Sequence, residues 1–386
     1  MERTPPLRSR LPAVGTTIFT VMSQLAADAG AVNLGQGFPD FDIPDALADL
    51  LARAVRDGRN QYAPMAGLPS LREAIAAKAE AAYGHRVDPA TEVTVTSGAT
   101  EAIFNAILAV LHPGDEAIVL DPAYDSYEPG ILLAGGTCVH VALRTADFSV
   151  DWDAVAAAVT PRTRLLIVNS PHNPSGAVWS ADDVARLAAL AHAHDLTVIS
   201  DEVYEHIVFD GRRHESVRRS PELAARAFVV SSFGKTYHCT GWKVGYCIAP
   251  PALTTEFRKV HQYNTFATST PAQWAFDGML RAHPEHHAAL GAFYEAKRDR
   301  FRAQLAGTRL RALPVGGSYF QLVDYSAVSD LADDAFARWL CTTHGVASIP
   351  LSPFYAAPPA GQRIVRLCFA KTDATLDAAI ERLERA

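Results

Sequence analysis

A lysine set between a hydroxyl and a second cation is the arrangement in this chain best suited to forming a covalent bond. Lys235 stands in Ser231-Ser232-Phe233-Gly234-Lys235-Thr236-Tyr237, directly after the apolar run Ala227-Phe228-Val229-Val230, and Lys243 follows eight positions later. A lysine kept out of bulk water has a lowered pKa and can attack an aldehyde as a free amine. Ser232 and Lys243 are donors that a phosphate group would seek. Pyridoxal phosphate carries both an aldehyde and a phosphate, and this run has a group for each. A bare Gly-Lys pair would read as an ordinary surface loop. The hydroxyl, the second lysine and the surrounding aromatics argue for a site instead.

Two other stretches supply further parts. Ser97-Gly98-Ala99-Thr100-Glu101 joins a strand-like segment to a helical one. Gly98 lets backbone approach a ligand closely, and the free N–H groups of Ala99 and Thr100 at a helix start form an anion site. The same run also serves as a plain helix cap through Ser97 or Thr100, and both readings stand at this point. Asp201 closes the apolar run Val198-Ile199-Ser200. A carboxylate there needs a partner, and a protonated pyridine nitrogen would be one, strengthening the ring as an electron sink.

The elements that must position these groups are legible from periodicity. Apolar runs at 92–97, 116–120, 164–169, 196–200, 227–231 and 244–249 read as strands. Ile103, Phe104, Ile107, Leu108 and Leu111 recur at helical spacing, and 181–194 reads as a helix. Near-continuous apolar strands alternating with helices predict an α/β fold whose mostly parallel central sheet is covered by helices on both faces. Ligands of such sheets bind beyond the carboxyl ends of the strands. Gly98, Tyr124, Asn169, Asn173, Asp201, Ser232 and Lys235 all fall just after strand-like runs. Beyond about Pro271 long helices rich in Ala, Arg and Glu take over, with strands near 318–323 and 363–368, which predicts a smaller α+β domain. The expected division is a large domain at 35–275 and a small domain at 276–386.

Composition narrows the function classes. The chain has 386 residues, room for two domains, and a net charge of -7, which argues against a nucleic-acid partner. Its five cysteines, Cys138, Cys239, Cys247, Cys341 and Cys368, include no CxxC pair, so neither a disulfide frame nor a zinc site is expected. His192 and His194 are two apart and would point to different faces of a helix, so no metal site is expected there either. Residues 1–11 carry arginines without an apolar core, and no stretch reaches the roughly 20 apolar residues of a membrane span. The expectation is a cytoplasmic protein with no membrane partner.

The lysine run resembles that of class I aminotransferases, the fold-type I enzymes that use pyridoxal phosphate. The resemblance spans nearly the whole chain, from Val32-Asn33-Leu34-Gly35-Gln36-Gly37-Phe38-Pro39-Asp40-Phe41 to Arg366-Leu367-Cys368-Phe369-Ala370-Lys371. Gly15-Thr16-Thr17-Ile18-Phe19-Thr20, Asn60-Gln61-Tyr62-Ala63-Pro64-Met65 and Pro171-His172-Asn173-Pro174 point to the branch of bacterial methionine aminotransferases and the kynurenine and glutamine aminotransferases. The resemblance implies that residues 1–34 pack with the small domain. It implies that Lys235 holds the cofactor, and that Gly98, Ala99, Thr100, Ser232 and Lys243 take its phosphate. Asp201 faces the ring nitrogen, and Tyr124 stacks on the ring, although a lone tyrosine is also ordinary core. Tyr204 and Asn173 bond the phenolic oxygen, and Asn173-Pro174 also has turn chemistry. Tyr62 matches a tyrosine that reaches the phosphate of a neighbouring subunit, which implies a homodimer with its active sites at the interface.

Arg366 offers a planar clamp for a carboxylate. By resemblance it holds the substrate α-carboxylate with Asn173 and the backbone of Gly37. Ile18, Phe19, Tyr62 and, from a partner subunit, Phe266 would line the side-chain pocket. The implied reaction moves the amino group of an amino acid to a 2-oxo acid by a ping-pong cycle, with Lys235 as the proton carrier. Methionine, aromatic amino acids and glutamine are the expected donors, since no second arginine matches a clamp for a distal carboxylate. C–S β-lyases on the same scaffold also keep Lys235, Asp201 and Arg366 and form the alternative, though the runs at 15–20 and 60–65 favour transamination. A regulator built on this domain would carry a DNA-binding helical domain ahead of it, and only 34 residues precede Gly35.

Overall fold

A computed structural model of the chain describes residues 7–386, so part of the leader reading at 1–11 and of the 1–34 segment lies outside the described residues. Seven strands form the central sheet: β1 (Val93–Thr96), β2 (Glu116–Asp121), β3 (Thr137–Ala142), β4 (Thr163–Asn169), β5 (Thr197–Asp201), β6 (Ala227–Ser232) and β7 (Gly245–Ile248). Their spatial order is β1-β7-β6-β5-β4-β2-β3. The pairs from β6 through to β3 are parallel, whereas β7 runs antiparallel to both β1 and β6. An apolar run reports burial on both faces but not direction, so this reversal was not visible in the pattern. Nor was β3. It is an edge strand with mostly exposed or half-buried positions, and it lacks the continuous apolar signal of its neighbours.

Alternation along β6 shows how the two faces are covered. Phe228 and Val230 belong to one apolar cluster with Ile103 and Ile107 of the helix Gly98–Val110, while Val229 belongs to another that includes Leu187 of the helix Ala181–Ala193. The second of these helices opens with a capping box between Ser180 and Asp183, which satisfies donors its first turn leaves free.

A second body carries a four-stranded antiparallel sheet ordered Ile349–Pro350, Ile364–Cys368, Phe320–Asp324, Arg311–Ala312. The helices Pro284–Leu305, Asp333–His344 and Asp373–Leu383 belong with it. The N-terminal helix Ile18–Asp28 packs on Asp333–His344, and Val32–Asn33 pairs in parallel with Val346–Ala347. The helix Thr270–Ala282 packs on Asp45–Arg56 and Pro69–Tyr83 of the larger body, with Phe276 stacked on Phe233. The expected division at 275/276 falls within this helix.

Candidate active site

Lys235 lies on a one-turn helix, Phe233–Thr236, that follows β6 directly. Its Nζ is 3.5 Å from the Gly37 carbonyl and stands 5.8 and 5.7 Å from the ring centres of Tyr204 and Tyr319. Burial lowers its pKa to about 8, which enlarges the fraction present as free amine at neutral pH. Asp201, the last residue of β5, is buried and accepts from the Tyr127 hydroxyl at 2.7 Å and from Val203 N–H at 3.3 Å. Burial pushes its pKa up to about 6. A carboxylate so placed gains most from a cation brought to it.

Arg366 sits in the Ile364–Cys368 strand and is 1% exposed. Nη1 donates to Asn173 Oδ1 at 2.7 Å and Nη2 to the Gly35 carbonyl at 3.0 Å, while Nε is buried without an acceptor. The guanidinium lies 3.9 Å from the centre of the Phe320 ring. No carboxylate among the described residues forms an ion pair with it. Its pKa is lowered by burial, the mark of a buried charge that lacks full compensation. The two sides of the site are tied by amides: Asn169 Nδ2 donates to the Asp201 carbonyl at 2.8 Å, and Asn169 Oδ1 accepts from Asn173 N–H at 2.8 Å.

At the opposite end, Lys243 Nζ is 3.4 Å from Thr100 Oγ1. Gly98 has φ +78°, and a Cβ there would lie 3.3 Å from Lys243 Cε and 3.4 Å from Nζ. Only glycine leaves this cradle open. The N–H groups of Ala99 and Thr100 lie in the first helical turn, where no intrahelical acceptor exists. Ser97 is the N-cap, yet its hydroxyl makes no capping bond and contacts Thr268 instead.

One cavity joins these groups. Its wall includes Phe19, Gly37, Gly98, Ala99, Thr100, Tyr124, Asn173, Asp201, Tyr204, Ser232, Lys235, Lys243 and Arg366. Ile18, Tyr62 and Phe266 are not in that wall within one chain. Ile18 turns into the hydrophobic core. Tyr62, 81% exposed, packs edge-on against Phe266 with ring centres 5.3 Å apart, outside the cavity. Several contributors went unread in the sequence: Tyr127, which orients Asp201, along with Gln36, Thr240 and Phe320. Tyr127 had a faint signal, standing three residues after Tyr124 at the start of the helix Tyr127–Leu133.

The set suits pyridoxal phosphate. An anion fits against the Gly98 cradle and Lys243, a ring cation fits against Asp201, and an aldehyde fits within reach of a lysine whose free-amine form is favoured by burial. Arg366 is left over for a carboxylate that the protein itself does not provide.

The family model for "Aminotransferase class I and II" matches residues 29–383. The chain is 55% identical to the methionine aminotransferase of Escherichia coli K12, with 98% of each covered. The crystal structure of an Escherichia coli protein with methionine aminotransferase function superposes with a TM-score of 0.96 at 55% identity, covering 99% of this chain and 100% of that one. A probable N-succinyldiaminopimelate aminotransferase of Mycobacterium tuberculosis is 43% identical, with 97% of each covered. The mouse kynurenine–oxoglutarate transaminase 1 is 33% identical, with 97% of this chain and 96% of that protein covered.

Proposed function

The chain belongs to the class I and II aminotransferases and depends on pyridoxal phosphate, and from that premise we propose the residues that act and the donor it prefers. Its similarity to aminotransferases does not favour the β-lyase alternative. When bound, the cofactor supplies a carbonyl for the amino group and a ring that accepts the electrons of a broken Cα–H bond.

Lys235 anchors the cofactor. Once released, its Nζ takes the proton from the substrate Cα and later returns it, a role suited to an amine with a pKa near 8. Asp201, held by Tyr127 and Val203 N–H, keeps the ring nitrogen protonated. Tyr204 and Asn173 bond the phenolic oxygen, and Tyr124 covers the ring. Ala99, Thr100, Ser232 and Lys243 hold the phosphate. Arg366, aligned by Asn173 and Gly35 and flanked by Gly37, clamps the α-carboxylate of amino acid and 2-oxo acid in turn. The observation that carries this reading is the buried guanidinium of Arg366, with no carboxylate partner among the described residues, facing the same cavity as Lys235 and Asp201.

Tyr62 and Phe266 then act in a neighbouring subunit of a homodimer. Their outward placement supports this, as does Tyr263, a tyrosine of the same region that is 91% exposed. The five free thiols suit a cytoplasmic setting.

Methionine and aromatic amino acids are the proposed donors, with glutamine behind them. Phe19 and Phe320 border the cavity, and among the described residues of one chain its cations are Lys235, Lys243 and Arg366, each already assigned. A donor with a distal carboxylate, such as aspartate or the substrate named for the mycobacterial relative, would bury that charge without a partner, at a cost of several kcal/mol. Initial rates for methionine, phenylalanine, glutamine, aspartate and N-succinyldiaminopimelate with one fixed 2-oxo acid test this. Methionine or phenylalanine should lead by about tenfold or more. Aspartate or the succinylated donor in first place would reject the pocket reading.

A further inference from the structure

His261 is fully buried in the helix Pro251–Asn264 and takes no part in the chemistry above. Both of its ring nitrogens are engaged. Nε2 is 2.9 Å from the Met65 carbonyl, and Nδ1 is 2.6 Å from Glu101 Oε1. A carbonyl only accepts, so Nε2 carries a hydrogen. The carboxylate oxygen at Nδ1 then requires a second proton between the two. Glu101 Oε1 also accepts from Asn105 Nδ2, and Oε2 accepts from Ser97 N–H. Sharing that proton leaves the pair without net charge, and the Glu101 side chain is 8% exposed.

The location gives the pair its meaning. Glu101 follows Thr100 directly, in the first turn of the helix whose N-terminus, with Lys243, receives the phosphate in the reading above. A buried carboxylate next to a dianion would repel it. We propose that His261 is a positioning residue that cancels this charge, so that Glu101 can close the phosphate-binding turn through Ser97 N–H without opposing the phosphate. His261 also holds the Met65 carbonyl, and its own carbonyl accepts from Phe266 N–H at 2.9 Å. The segments that carry Tyr62 and Phe266 are thereby referenced to the same turn.

The inference rests on the phosphate assignment, and the test separates the two. Dissociation constants of pyridoxal phosphate and of pyridoxal are measured for the whole enzyme and its variants after cofactor removal. His261→Gln should weaken pyridoxal phosphate by about tenfold or more and pyridoxal by less than about twofold, because only the former carries the repelled charge. Adding Glu101→Gln to His261→Gln should recover most of the loss, since the repelling charge is then gone. Equal losses for both ligands, no loss in His261→Gln, or a double variant weaker than the single would each overturn the proposal. Lys243→Ala is the control for the premise. If it also discriminates against pyridoxal phosphate while His261→Gln does not, only the role of His261 fails. If it does not discriminate, the phosphate is not held at this turn and the site assignment fails with it.

Discussion

Asp201 and Glu205 are four residues apart, both buried, and their acidities move in opposite directions. Burial raises Asp201 to about 6. Glu205 lies well below the usual carboxylate range even though burial alone would raise it, because Lys78 is 2.7 Å away. Its Oε1 accepts from Lys78, Ser231 and Tyr246, and its Oε2 from Tyr83. Lys78 in turn contacts Glu205, Tyr246 and His206, so each of its three hydrogens has a direction to point. The protein supplies a complete set of partners to one carboxylate and withholds the cation from the other. Closed clusters of buried charge hold elements together, here the helix Pro69–Tyr83 to β6 and β7. Open ones, such as Asp201, Lys235 and Arg366, are completed by what binds.

Four changes break or sharpen that contrast. Lys235→Ala removes the nucleophile from the open cluster and should lower transamination by about a thousandfold or more while leaving the fold intact. Borohydride reduction followed by mass measurement should show no cofactor attached to the chain. A variant that retained both turnover and attachment would remove Lys235 from the mechanism.

Lys78→Met opens the closed cluster by stranding Glu205. Loss of one member of a buried pair should cost about 3–5 kcal/mol of stability, read by chemical denaturation. Catalytic efficiency of the folded variant should stay within about threefold of the parent. A large fall in turnover with little loss of stability would merge the two clusters into one functional unit.

Arg366→Ala should reduce efficiency toward amino acids by about a hundredfold or more, at least about 2.7 kcal/mol, expressed mainly in KM. Amines that lack a carboxylate should be much less affected. Equal losses for both substrate classes would make Arg366 a structural residue.

The smallest effect is on pH dependence. The folded pKa of Asp201, about 6, lies above its unfolded value near 3.9, so the folded state binds the extra proton. Its contribution to stability is therefore fully present below about pH 4 and is lost as pH rises through about 6. In the cofactor-free enzyme, the unfolding free energy should fall over that window by on the order of 1–3 kcal/mol relative to Asp201→Asn. Bound cofactor should abolish the difference. Parallel profiles for the two cofactor-free proteins would show that Asp201 is already paired.

Much of this was legible before any coordinates. Apolar runs located six of the seven central strands to within one or two residues, because burial on both faces leaves an unbroken hydrophobic signature. Groups that follow those strands, Gly98, Asn173, Asp201, Ser232 and Lys235, could be placed at one edge from the general behaviour of parallel sheets. The edge strand Thr137–Ala142 escaped because solvent covers much of it. Tyr127 escaped because a tyrosine that bonds a buried carboxylate and one that fills a core look alike in sequence. The lysine of the Lys78–Glu205 pair sits on a helix, where most lysines face water, so only tertiary contacts reveal that its side chain is largely covered.

The reversed strand β7 has a consequence for spacing. Gly245 pairs with Thr96 of β1 on one side and with Ser232 of β6 on the other, so the start of β7 lies level with the ends of its neighbours. Lys243 can thus precede its strand and still stand beside groups that follow theirs. A parallel β7 would need a crossover of a dozen or more residues and would deliver Lys243 to the far edge. In the proposed site, the turn between Lys235 and Lys243 is therefore a ruler between nucleophile and phosphate. Lengthening it by one residue would leave both strands paired and still misalign the two ends of a bound cofactor.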